Sequence, residues 1–259
     1  MRWPCERLGG IQLLSEIRRI RFDDWDDFKA NFRKHLPDTT SGDSANHFLF
    51  RGQRSEKWQL TSSFDRLVRL PSTKDRQREF EKWLDRFFEE VCWQHSEKYR
   101  PNSEELISLA QHNGLPTRLL DWSMSPYIAA FFAFAETINR PLDTPDNPAI
   151  WVINKECFES VVPNTDVRFV APIDMENSRQ RNQAGLFTQL LTDDESLDAY
   201  AECRGREVFE TMLCMTIPAG EQRFILDDLN WMGIDYRSIY PGLTGIVKHI
   251  LARYQLSED

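Results

Sequence analysis

Eight consecutive residues, Tyr127 to Phe134 (YIAAFFAF), carry a tyrosine hydroxyl as their one side-chain polar group. A run of this kind has to be kept from water, yet it falls far short of the 18 or more residues that cross a bilayer. Pro126 stands directly before it and suits the first turn of a helix, where its missing N–H costs nothing. The sequence therefore predicts a helix that buries Ile128, Ala129, Phe131, Phe132 and Phe134, and a core must be built around it. The chain can supply one: at 259 residues, with 41% apolar and 28% charged, it should bury roughly 70 to 75% of its unfolded surface. Disulfides and metals are not needed to hold such a fold.

Other patterns place elements around this helix. Trp25, Phe28, Phe32 and Leu36 recur at helical spacing over 22–36, where Asp23 or Asp24 can cap the start. His47 to Gly52 (HFLFRG) suits a short buried strand that delivers Arg51 at its end. A long helix follows over 74–99, its stripe of Phe80, Trp83, Leu84, Phe87, Phe88, Val91 and Cys92 read as core packing. Glu104 to His112 is predicted helical and is stopped by Asn113-Gly114 and Pro116. The stretch 117–125 reads as a loop or short extended segment, and Ala149 to Asn154 and Val208 to Ile217 as central strands. Between 163 and 194 a strand is expected at Gly185 to Leu191. Closing helices are expected at 222–232 and 242–254, the second with Leu243, Ile246, Val247, Ile250, Leu251 and Tyr254 on one side. With no linker, repeat or charge block, the expectation is a single α+β domain over 1–259 with a central mixed or split sheet and a helical N-terminal elaboration over 1–46.

Lys and Arg number 32 against 41 Asp and Glu, a net charge of -9, and no block is strongly basic. This excludes a whole-surface nucleic-acid binder and leaves room for a local groove. The N-terminus mixes Glu6 and Glu16 among basic residues and has no apolar core with a cleavage site, so a cytoplasmic protein is expected. Cys5, Cys92, Cys157, Cys203 and Cys214 contain no CxxC pair and read as free thiols of a reducing compartment.

Phosphate-loop, dinucleotide-fingerprint, HExxH and GxSxG motifs are lacking in the sequence, and the five histidines do not fall at metal-ligand spacing. Two polar clusters stand out. In Arg51-Gly52-Gln53-Arg54 an arginine beside a glycine can present its planar fork to a phosphate or carboxylate, or else make a structural ion pair. In Gln111-His112-Asn113-Gly114-Leu115-Pro116-Thr117-Arg118-Leu119-Leu120-Asp121-Trp122, Arg118 and Asp121 can pair and fix the loop or face a cleft. His112 closes a helix, and Trp122 either stacks on a ligand or packs in the core.

The runs FLFRGQRSEKWQLTSSFDR, LISLAQHNGLPTRLLDWSMSPYIAAFFAF, RQRNQAGLFTQL and IYPGLTGIVKHI together resemble the FRG domain family, spanning 48–250. A weaker resemblance links the chain to the ADP-ribosyltransferase fold. That superfamily carries an arginine or histidine on its first core strand, a Ser-Thr-Ser motif before a helix and a glutamate near the start of a late strand. Arg51 resembles the first, and Ser123-Met124-Ser125 the second, with Met124 in place of threonine. Glu210, Glu207 and Gln183 compete for the third. The resemblance implies NAD as substrate with no metal, with Arg51, His112 and Glu210 catalytic. It further implies Arg51, Gly52, Gln53, Thr117, Arg118, Asp121, Trp122, Ser123 and Gln183 as NAD-binding residues.

On this reading the chain is an NAD-dependent ADP-ribosyltransferase-like enzyme, a bacterial toxin or phage-defence effector. Its acceptor is a nucleic acid or a protein, and a toxin of this kind implies a neutralising antitoxin partner; no membrane partner is expected. The alternative is a non-catalytic FRG module that binds a nucleotide or a partner protein through Arg51 and Arg118. A nucleic-acid acceptor would call on Arg51, Arg54, Arg66, Arg69 and Arg118 for a positive groove.

Overall fold

A computed structural model describes residues 16–37, 47–95, 101, 103–135, 146–171, 185–240 and 242–258. In chain order the elements are β1 (Arg18–Arg21), α1 (Trp25–Asn31) with a 3-10 turn at Phe32–His35, β2 (Phe48–Gln53), α2 (Ser63–Leu67), α3 (Thr73–His95) and α4 (Glu104–His112). There follow β3 (Leu120–Ser123), α5 (Pro126–Ala135), β4 (Ala149–Asn154), α6 (Lys155–Val161), β5 (Val167–Val170) and β6 (Gly185–Leu190). The chain closes with α7 (Leu197–Arg204), α8 (Arg206–Phe209), β7 (Met212–Thr216), α9 (Gln222–Trp231), α10 (Tyr236–Ile239) and α11 (Leu243–Glu258). The strands form one open mixed sheet in the order β1-β7-β4-β2-β3-β6-β5, in which β1 and β7 run parallel and the other neighbours antiparallel.

The sheet is covered on both faces, which explains why β4 is buried at every position. Its Ile150 and Val152 join Phe48, Phe50, Leu213 and Met215 in a core completed by α1, α5 and α9. Ala149, Trp151 and Ile153 point the other way, toward Leu49, Trp122, Phe158, Tyr200 and Cys214. Helix α5 crosses β2 closely: a Cβ built on Gly52 would lie 1.9 Å from the Ala129 carbonyl oxygen. The glycine next to Arg51 thus serves helix–sheet contact, on the α5 side, and does not clear space for the arginine.

The two halves of the sheet are joined thinly. Strand β2 meets β4 from Phe48↔Asn154 to Gln53↔Ala149, and β3 meets β6 from Leu120↔Thr188 to Ser123↔Gly185. Between β2 and β3 the ladder consists of the Phe50↔Ser123 pair alone. Beyond it, toward Asp121, side chains take over from main-chain pairing.

Two expectations are corrected, and the apolar side of the last helix is located. Residues 18–21, placed in a helical elaboration, form β1 and extend the sheet, because parallel pairing with β7 outweighs the polar RRIR pattern. The strand read over 208–217 begins only at Met212: Gly205, at φ +97°, ends α7 and leads into the helical turn of α8. The apolar side of α11 faces outward, with Leu243, Ile246, Val247, Ile250, Leu251 and Tyr254 exposed. Gly245 instead abuts the Tyr240 carbonyl, and Ala252 is buried. No helix among the described residues is long and apolar enough to cross a membrane. Cys92 and Cys214 are free thiols; burial pushes the Cys214 thiol up to about 12, so it stays protonated at neutral pH.

Candidate functional site

Where β2 and β3 part, Arg51 bridges them. Its Nη1 donates to the Asp121 carbonyl oxygen at 2.9 Å and lies 3.8 Å from Asp121 Oδ2. Gln111, in the last turn of α4, donates through Nε2 to Asp121 Oδ1. Its Oε1 in turn accepts from Thr117 Oγ1 at 2.9 Å. The Asp121 side chain is 57% exposed and that of Arg51 17%. Crowding by the surrounding protein raises the pKa of Asp121, against the lowering influence of the Arg51 charge and the Gln111 hydrogen bond. The candidate recess is the gap where the β2–β3 ladder ends, at which this half-exposed carboxylate stands. One wall is a cationic fork suited to phosphate or carboxylate.

The motif's other arginine is used differently. Arg118 is 2% exposed. Its Nε donates to Asp65 Oδ1 at 3.2 Å, Nη1 to Gln77 Oε1 at 3.0 Å, and Nη2 to Thr73 Oγ1 at 3.1 Å and the Leu190 carbonyl at 3.3 Å. Burial depresses its pKa, with Asp65 opposing and the nearby Arg76 charge adding to the shift. Arg76, also buried, donates to the Thr192 and Asp194 carbonyls. These bonds tie the start of α3 to the chain leaving β6. The pairing read between Arg118 and Asp121 is therefore replaced by Arg118–Asp65, and Arg118 does not share the Arg51 recess.

Other expected site residues are distributed as follows. Trp122 packs among Leu49, Leu120 and Trp151 and donates through Nε1 to Thr188 Oγ1 at 2.8 Å, which takes its ring out of reach of a ligand. Ser123 accepts from the Ser125 N–H at 3.0 Å and so shapes the turn into α5. Gln53 accepts from Trp151 Nε1 at 3.0 Å inside the core. Thr117 is buried and fixed through its backbone by Ser63 and Phe64. His112 ends α4, and its side chain, like all of Gln183, lies outside the described residues. Glu210 is exposed and paired with Arg206 at 2.6 Å, and Glu207 lies exposed on α8. By the sheet register Arg51 is level with Trp151 and Cys214. Glu210 stands at the end of the helical turn that precedes β7, the second strand from β2 in the sheet. The polar contact shown for Glu210 is with Arg206 on the same turn.

Of the arginines read as a groove, Arg54 lies over the Trp58 ring at 4.9 Å and Arg66 donates to the Thr61 carbonyl at 2.8 Å. Sequence reasoning passed over Arg76 and named Gln111 in the polar cluster without giving it a role. Gln111 was visible as a polar residue in the last turn of a helix, six positions before Thr117. Arg76 carried no signal, since a cation near a helix start reads as solvated.

The architecture defines an α+β protein built on one open mixed sheet with helices on both faces, whose recess lies at the seam between the sheet's halves. Residues 46–140 match the family model of the FRG domain. The match takes in Arg51, Gln111, Thr117, Arg118 and Asp121, while Gln183 and Glu210 lie outside it. No curated protein matches the chain. Nor does any solved structure.

Proposed function

We propose that the recess binds NAD and that the chain is an ADP-ribosyltransferase-like enzyme, with Arg51 as the anchor for the pyrophosphate and Asp121 as the carboxylate beside the reacting ribose. One observation carries the reading: a guanidinium fork and an exposed carboxylate 3.8 Å apart share one recess at the seam of the sheet. NAD brings its own leaving group, so the protein has to supply little more than an anion anchor and negative charge near the anomeric carbon. In the transfer, the bond from that carbon to nicotinamide breaks, nicotinamide leaves with the electron pair, and an acceptor nucleophile forms the new bond. The proton the nucleophile loses passes to Asp121 Oδ2. The acceptor is a nucleic acid or protein nucleophile, and action as a toxin or defence effector with a neutralising partner belongs to the same proposal. Gln183 keeps the ribose-orienting role read for it in the sequence.

A second reading is a nucleotide-binding module without catalysis. It is favoured by the engagement of both Asp121 oxygens' surroundings, one with Gln111 and one near Arg51. Incubation of the purified chain with NAD and cell lysate separates the two. The enzyme releases nicotinamide and labels a macromolecule, and Asp121→Asn abolishes release while NAD still binds. Binding without release by wild type establishes the second reading, and full release by Asp121→Asn removes Asp121 from the mechanism.

A further inference from the structure

The Asp121 carboxylate is held by a chain of contacts that starts in the core. Thr117 is 1% exposed, its N–H donates to Ser63 Oγ at 3.2 Å, and its carbonyl accepts from the N–H of Phe64 at 3.1 Å. Phe64 is buried against Phe80 and Trp83, so this backbone is fixed by the packing of α2 on α3. The single proton of the Thr117 hydroxyl goes to Gln111 Oε1, which leaves Gln111 Nε2 as the end of the amide turned to Asp121. Reversing the amide would set an oxygen against a carboxylate. The orientation is therefore specified from both ends, and Gln111 engages one carboxylate oxygen, Oδ1, while Oδ2 is left on the Arg51 side.

We infer that Gln111, oriented by Thr117, is a positioning residue: it holds Asp121 Oδ1 and presents Oδ2 to whatever occupies the recess. The catalytic consequence rests on the proposed transferase reading, but the positioning itself does not. Among the described residues Arg51 on β2 is the charged group acting on Asp121; Phe187, its partner on β6, is uncharged. Removing the Gln111 donor leaves burial opposed by Arg51 alone, so the carboxyl must titrate at higher pH.

The test is a pH titration of the full chain with 13C-labelled aspartate carboxyls, followed by NMR, the Asp121 signal being assigned by its loss in Asp121→Asn. In Gln111→Ala, at a helix end where truncation is tolerated, the Asp121 titration moves upward. Thr117→Val, equal in volume but without the hydroxyl, moves it in the same direction, and Thr117→Ser restores the wild-type curve. Gln111→Glu sets two carboxyls together, and Asp121 then titrates in two coupled steps. If the curve of Gln111→Ala superimposes on wild type, the inference is overturned. Where nicotinamide release is measurable, Gln111→Ala lowers it roughly ten- to hundredfold at neutral pH and shifts its pH profile with the NMR curve. A chain that consumes no NAD but shows the titration shift overturns the transferase reading and leaves the positioning intact.

Discussion

Around Arg118 each nitrogen of the guanidinium finds an acceptor inside the protein, whereas around Arg51 the same fork forms the wall of an open recess. The first arrangement joins α2, α3 and the chain leaving β6. The second spans a gap in the β-ladder and sets a cation beside an exposed carboxylate. Both arginines belong to the FRG match, and residue type does not separate them. What separates them is whether the partners are supplied by the fold. Arg118 has its carboxylate, Asp65, buried with it, so that neither is offered to a ligand.

The contrast is broken most severely from the buried side. Replacing Arg118 by Met strands Asp65 inside the protein, and the loss expected in denaturant unfolding is about 3–5 kcal/mol. Adding Asp65→Asn to that variant should recover part of it, because the uncompensated charge is gone. Next in size is Gly52→Ala: its methyl meets the Ala129 carbonyl at 1.9 Å, and α5 must shift. About 3 kcal/mol is expected, the upper end of overpacking costs. Arg51→Ala should cost less than Arg118→Met, since the carboxylate it leaves behind, Asp121, is open to water, while abolishing NAD binding.

The smallest effect concerns the sign of a pH dependence. Burial raises the pKa of Asp121 above its ordinary 3.8 in the folded protein. Between those two values the folded state binds more protons than the unfolded one, so this carboxyl makes stability fall as pH rises. At neutral pH its ionised form is a standing cost. Asp121→Asn should therefore melt no lower than wild type at pH 7, and the difference should vanish in acid, below the unfolded value. A variant that melts well below wild type at pH 7 would make Asp121 a structural acid.

Much of the scaffold was legible because its periodicity is strong. The apolar run after Pro126 became α5, AIWVIN became a strand covered on both faces, and Glu104–His112 emerged with the predicted bounds. The strands β1 and β5 were not legible: RRIR is polar and β5 contributes few buried residues, each being an edge strand defined by its neighbour's ladder. The site was half legible. Arg51 and Asp121 were both singled out, but their pairing was not, because it depends on β2 and β3 parting after one bridge. Arg118 was drawn into the site because a cation in a loop reads as available; Asp65, its partner, lies 53 residues upstream, beyond what local spacing reveals. Glu210 was misplaced by reading α8 as the start of a strand.

The central claim, that of these two arginines Arg51 meets the nucleotide and Arg118 builds the fold, is tested most directly by calorimetric titration of NAD into the wild type and Arg51→Lys, with melting temperatures recorded in parallel. Lysine keeps the charge but not the planar fork. The account predicts an affinity loss of about tenfold or more, equivalent to about 1.4 kcal/mol, with melting unchanged. Undiminished affinity in Arg51→Lys, or a collapse of its melting temperature, would contradict it.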